Sequence, residues 1–123
     1  MSRVLVIDDE HDVRLPILQV LAKAGYEVEE APDGHEGVER YRENPADLVI
    51  VDIFMPTKSG LEVIQELKRD FPSIKIIAIS GVDVRDGLDL ATLTRAYEVD
   101  RAIEKPFHIH DLLQAVRDLL TAG

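Results

Sequence analysis

Apolar residues along this chain fall into short runs, each ended by a polar or turn-forming group. Val4-Leu5-Val6-Ile7 runs into Asp8-Asp9-Glu10. Leu48-Val49-Ile50-Val51 runs into Asp52, and Met55-Pro56 then blocks continuation. Short apolar runs bounded by turn signals read as strands buried on both faces. Residues 74–79 form another buried strand, ending at Ser80-Gly81, and residues 100–103 a short strand, ending at Glu104-Lys105-Pro106. Tyr26-Glu27-Val28-Glu29 alternates instead, which predicts a half-exposed strand.

Helical spacing fills the intervals. Residues 12–24 carry Val13, Ile17, Leu18, Val20 and Leu21 as an apolar stripe, with Pro16 early and Gly25 as the stop. Pro32-Asp33-Gly34 is a turn, and Asp33 caps a helix running to about Glu43, which Asn44-Pro45 ends. Residues 60–70 place Leu61, Ile64 and Leu67 on one face. Residues 82–87 are polar and carry no clear pattern, and residues 88–97 predict a weakly patterned helix. The last helix spans residues 109–120, with Leu112, Leu113, Val116, Leu119 and Leu120 facing inward. Five strand-helix pairs in strict alternation predict an α/β domain with a parallel sheet and helices on both faces.

Composition narrows the function. With 123 residues the chain is expected to form one domain, and no repeat, low-complexity stretch or linker divides it. The expectation is a stand-alone domain over residues 1–123, provided Gly123 is the natural end. No apolar run is long enough to span a membrane, and there is no cysteine, which excludes disulfides and thiolate metal sites. A cytoplasmic location fits. The formal net charge of −10 argues against direct binding to nucleic acid or an anionic membrane and favours cationic partners, metal ions among them.

In doubly wound sheets, ligands bind beyond the carboxyl ends of the strands where strand order reverses. A common order for five strands is 2-1-3-4-5, which sets strands 1 and 3 side by side there. Asp8 and Asp9 then adjoin Asp52, Ser80 ends the next strand, and Lys105 ends the one after. Three carboxylates in one cleft raise one another's pKa unless a cation offsets them, and Lys105 supplies a single positive charge. Oxygen ligands with waters suit Mg²⁺, which commonly takes one or two protein carboxylates. One carboxylate stays available, and Asp52 can attack phosphorus to give an aspartyl phosphate. Lys105 and the metal would neutralise the phosphoryl oxygens, and Ser80 could donate a hydrogen bond to one of them.

Over essentially its whole length the chain resembles a two-component response-regulator receiver domain. The matching residues are Asp8-Asp9, Asp52 with Met55-Pro56, Ser80-Gly81 and Lys105-Pro106-Phe107, in that order and strand context. The resemblance implies a flavodoxin-like fold, with Asp52 as phosphoacceptor, Asp9 as a direct Mg²⁺ ligand and Asp8 as a ligand through water. It also implies that the Phe54 backbone carbonyl is a third protein ligand, Ser80 the switch hydroxyl and Lys105 the phosphate contact. It implies a cis Lys105–Pro106 peptide, a histidine kinase or histidine phosphotransfer protein as donor, and a downstream protein of unknown identity. Such a domain is a phosphorylation-controlled binding module rather than a turnover enzyme, and is a monomer or pairs weakly through the fourth helix, fifth strand and fifth helix.

The chain departs from the family pattern in places. Ala102 stands where an aromatic residue is usual, Glu98-Val99 where Gly-Ala is common, and His108 where Asp often caps the last helix. Phe54 and Val82 hold positions that tune phosphate lifetime in the family, and neither apolar side chain can orient an attacking water, which predicts slow self-dephosphorylation. Alone, each motif has a plainer reading: Asp8-Asp9-Glu10 as a solvated helix start, Asp52 as a turn residue, Ser80-Gly81 and Lys105-Pro106 as ordinary strand ends. His11, His35, His108 and His110 lack metal-ligand spacing and read as surface residues, and Glu27, Glu29 and Glu30 as a solvated edge. Ala102 also keeps open a pseudo-receiver that acts by phosphorylation-independent contact. A small aspartyl-phosphate hydrolase is disfavoured because Phe54 cannot transfer protons, and a flavin-binding protein because the acidic exit of the first strand would repel a flavin phosphate.

Overall fold

The computed structural model describes residues 2–81 and 90–121. Its elements alternate as the apolar pattern requires: β1 (Arg3–Ile7), α1 (His11–Lys23), β2 (Glu27–Ala31), α2 (Gly34–Glu43), β3 (Leu48–Asp52), α3 (Gly60–Asp70), β4 (Ile76–Ser80), α4 (Leu90–Tyr97), β5 (Arg101–Glu104) and α5 (Ile109–Thr121). The strands make one parallel sheet in the order β2-β1-β3-β4-β5, so β1 and β3 meet where the winding reverses. This is the expected flavodoxin-like α/β architecture.

The two-residue period of the strands divides the core. Leu5, Ile7, Val49, Val51, Ile76 and Ala78 point to one face, where they pack with Val38 and Tyr41 of α2 and Val63, Ile64 and Leu67 of α3. Val4, Val6, Leu48, Ile50, Ile77 and Ile79 point to the other, against Ile17 and Leu21 of α1 and Leu112, Leu113 and Val116 of α5. Burial on both faces is why these strands read as unbroken apolar runs. Among the described residues, no helix is long and apolar enough to cross a membrane.

Local chemistry sets the element ends. The Asp33 side chain accepts a hydrogen bond from the Glu36 amide at 2.8 Å and caps α2. Ser59 does the same for Glu62 in α3, at 3.3 Å. At the start of α5 the His108 carbonyl accepts the Asp111 and Leu112 amides, at 3.0 and 3.3 Å. Gly25, at φ +99°, ends α1.

Several expected boundaries shift for identifiable reasons. The second strand begins at Glu27 and runs on to Ala31, because the Tyr26 amide closes the preceding turn on the Leu21 carbonyl. The fourth strand begins at Ile76, because the Ile74 amide folds back to the Phe71 carbonyl. The fifth begins at Arg101, because the Asp100 side chain is turned to the Ile76 amide at 2.8 Å. Pro16 lies inside α1 rather than in its first turn, on the solvent side where water can pair the Asp12 carbonyl it leaves free. The segment 82–87 and the start of the helix expected from residue 88 lie outside the described residues.

One close approach matters for the site. The Gly60 amide donates to the Ile53 carbonyl at 2.8 Å, and a β-carbon on Gly60 would overlap the Asp52 carbonyl. Only glycine lets the start of α3 return against the end of β3. Gly60→Ala is therefore expected to destabilise the fold by about 2 kcal/mol or more. Chemical denaturation checks this, and an unchanged midpoint would contradict it.

Candidate functional site

The carboxyl ends of β1, β3, β4 and β5 converge around Asp52. Asp52 closes β3 and is 2% exposed. Its Oδ1 accepts the Phe54 amide at 3.1 Å, and its Oδ2 lies 3.3 Å from Lys105 Nζ. Lys105 is held by its own amide, which donates to the Ser80 carbonyl at 2.8 Å, so β4 aims the ammonium at β3. The Lys105–Pro106 peptide is cis, as expected.

Asp8 is 1% exposed and anchored on three sides. Its amide donates to the Ala31 carbonyl at 3.2 Å, its Oδ1 accepts the Glu10 amide at 2.8 Å, and its carbonyl accepts Arg14 Nη1 at 2.7 Å. The remaining oxygen, Oδ2, is buried with no hydrogen-bond partner, and so is Oδ1 of Asp9. Buried acceptors of this kind are costly unless something fills them. Carboxylate oxygens of Asp8, Asp9 and Asp52 lie within 4.8 Å of one another. An oxygen-only set with excess negative charge and two unfilled acceptors fits a small hard dication such as Mg²⁺.

All six sequence-predicted site positions, each among the described residues, lie at this end of the sheet, but they contribute differently. Asp8, Asp9, Asp52 and Lys105 come together through their side chains. Ser80 stands at the end of β4, where its hydroxyl donates to the Gly81 carbonyl at 3.1 Å. Phe54 contributes its amide to Asp52, while the residue is 45% exposed and its ring lies 4.0 Å from where a β-carbon on Gly81 would be. Val82 lies outside the described residues. The four histidines are on the surface, as expected. The acidic edge is less solvated than expected: Glu29 pairs with Arg3, and Glu30 with Arg14 at 3.1 Å.

Arg14 is the site-adjacent residue that the sequence reading passes over. It is 7% exposed, on the buried face of α1 with Ile17 and Leu21. A charge at i and apolar residues at i+3 and i+7 is the signal that would have found it, because a buried guanidinium needs partners.

Electrostatics follow from burial. Loss of solvent pushes the Asp8 carboxyl up to about 6, with Asp52 and Asp9 adding repulsion and the Glu10 amide and Lys105 opposing it. Burial also raises Asp52, against the opposing pull of Lys105 and the Phe54 amide. Folded Asp8 thus keeps its proton up to about pH 6, while the unfolded chain releases it near 3.8. The favourable contribution is present at low pH and is lost as pH rises through 6. Asp8→Asn, which keeps the acceptor for Glu10, should stabilise the metal-free protein at pH 7.5 by roughly 2–3 kcal/mol. The gain should shrink toward zero below pH 4. Denaturation of both proteins in chelator across this range checks the prediction, and a variant less stable at pH 7.5 would contradict it.

The sequence and backbone both have known counterparts. Residues 4–117 match the family model described as the response regulator receiver domain. The response regulator receiver protein CpdR of Brucella abortus is 32% identical over the full length of both chains. The chemotaxis protein CheY of Thermotoga maritima is 42% identical over 66% of this chain and 68% of its own. Among solved structures, a response regulator receiver domain protein from Clostridium thermocellum superposes with a TM-score of 0.88 at 30% identity, covering 99% of this chain and 96% of that one. The response regulator TrrA of Thermotoga maritima, solved in complex with Mg²⁺–BeF, gives 0.83 at 33% identity, covering 97% and 99%. A carboxylate triad facing a lysine at the switch point of this sheet, matched along nearly the whole chain, places it in the response regulator receiver domain family.

Proposed function

We propose that this chain is a phosphoacceptor receiver of a two-component phosphorelay, in which Asp52 takes a phosphoryl group from a histidine kinase or a histidine phosphotransfer protein. The observation that carries this is the division of labour around Asp52. One of its oxygens is fixed by a backbone amide, the other faces an ammonium, and the two neighbouring aspartates each keep a buried oxygen unfilled.

In the proposed reaction an Asp52 carboxylate oxygen attacks phosphorus in line with the donor. The new O–P bond forms as the P–N bond to the donor imidazole breaks, and the electron pair leaves on the imidazole nitrogen. Lys105 is close enough to offset charge on the phosphoryl oxygens. Asp9 directly, Asp8 through water, Asp52 and the Phe54 carbonyl would hold Mg²⁺, whose chemistry is to neutralise those same oxygens. The Ser80 hydroxyl would leave the Gly81 carbonyl to donate to the phosphoryl group, drawing the end of β4 inward. The chain is a carrier and binding module on this reading, not a turnover enzyme, and acts in the cytoplasm. Its outputs are protein contacts through α4, β5 and α5, as a monomer or weak dimer, with no direct nucleic-acid or membrane binding. Ala102 sits half-buried in β5 and carries no ring, so these contacts would not depend on an aromatic switch there.

Intact mass after incubation with acetyl phosphate tests the proposal. The expected result is one added phosphoryl group that requires Mg²⁺ and is lost in Asp52→Asn. No addition to the folded protein would contradict it and favour the pseudo-receiver reading that Ala102 keeps open. The apolar Phe54 side chain, which cannot orient an attacking water, further predicts a long-lived phosphorylated form. Phe54→Asn should shorten its half-life several-fold, and a half-life equal to or longer than that of the native protein would overturn this.

A further inference from the structure

Arg14 joins two parts of the chain that the phosphoryl chemistry leaves unconnected. Its guanidinium, 7% exposed in all, donates from Nη1 to the Asp8 carbonyl at 2.7 Å and from Nε to Glu30 Oε1 at 3.1 Å. Glu30 is itself fixed, because Arg40 of α2 donates to its carbonyl, and Arg40 is paired with Glu36. A chain of charge-assisted contacts thus runs from the outer face of α2 through the edge strand to the exit of β1. Asp8 is the terminus of that chain. Its amide and Oδ1 are already committed, so the contact with Arg14 completes the restraint on the peptide joining Asp8 to Asp9. With three anchors in place, Asp8 Oδ2 and Asp9 Oδ1 are left in the pocket without protein partners.

We propose that Arg14 is a positioning residue for the cation pocket: by gripping the Asp8 carbonyl and Glu30 together, it fixes the direction in which Asp8 and Asp9 present their oxygens. The inference rests on the reading of that pocket as a metal site. A buried guanidinium is suited to the task because its planar fork serves two acceptors in fixed geometry, which an ammonium on a flexible stem does not. Groups that orient metal ligands from outside the coordination sphere commonly change affinity by 10–100-fold when removed.

The experiment measures two things on the native chain, Arg14→Met, Arg14→Lys and Glu30→Gln. The first is Mn²⁺ binding, read from depletion of the free-ion paramagnetic resonance signal, with Asp9→Asn as the control for the pocket. The second is hydrogen exchange of the Glu10 amide, which Asp8 Oδ1 holds, in chelator. Arg14→Met should weaken Mn²⁺ binding about tenfold and speed Glu10 exchange, while amides of β3 and β4 keep their protection. Arg14→Lys should recover part of both, and Glu30→Gln, whose side chain is nearly half exposed, should loosen both by a smaller factor without unfolding the chain. Native values of both readouts in Arg14→Met would overturn the proposal, as would native values in Glu30→Gln should Arg14→Met fail to fold. A native protein that takes up no Mn²⁺, together with faster Glu10 exchange in the variants, would remove the metal reading and leave the grip on Asp8 standing.

Discussion

Asp8 and Asp52 are carboxylates held almost wholly out of solvent, at the ends of adjacent strands that are buried on both faces. Burial raises both pKa values, and Lys105 is the ammonium that faces them. Much of the surrounding structure serves this arrangement. Gly60 lets α3 close against the Asp52 carbonyl, the Ser80 carbonyl holds the Lys105 backbone, and Arg14 and Ala31 fix the Asp8 peptide. Gathering buried carboxylates in this way costs free energy that a bound dication can offset.

The same arrangement separates what holds the molecule together from what would change on modification. Most of the buried apolar surface lies in the two layers on either side of the sheet, and burial of that surface is the main source of stability. Ion pairs such as Lys58–Glu66 and Arg42–Asp70 tie the loop after β3 and α2 to α3 at the surface and contribute modestly. The strand ends, by contrast, carry the buried carboxylates and two buried acceptors, Asp8 Oδ2 and Asp9 Oδ1, that have no hydrogen-bond partner.

The sheet and its pocket were legible in the sequence because both-face burial writes itself as unbroken apolar runs, and because a carboxylate at the end of such a run demands a reason. β1 and β3 announce themselves in both respects and β4 in the first, and strand order then brings Asp8, Asp9, Asp52 and Lys105 together. Less legible was whatever depends on long-range pairing. β2 is an edge strand whose glutamates find Arg3 and Arg14, so its alternation gave the element but not its ends. Ile74 is apolar and buried yet belongs to a turn, and Asp100 is spent on the Ile76 amide rather than on β5. Arg14 was hidden because a charged residue within an apolar stripe reads as an exception until its partners are seen.

The most direct test of the account is chemical mapping of the modified residue. The protein would be incubated with a phosphoryl donor and Mg²⁺, reduced with borohydride to convert an acyl phosphate to the alcohol, and digested for peptide sequencing by mass spectrometry. The account predicts homoserine at position 52 and aspartate unchanged at positions 8 and 9. Reduction at another carboxylate, or modification confined to a histidine, would contradict it.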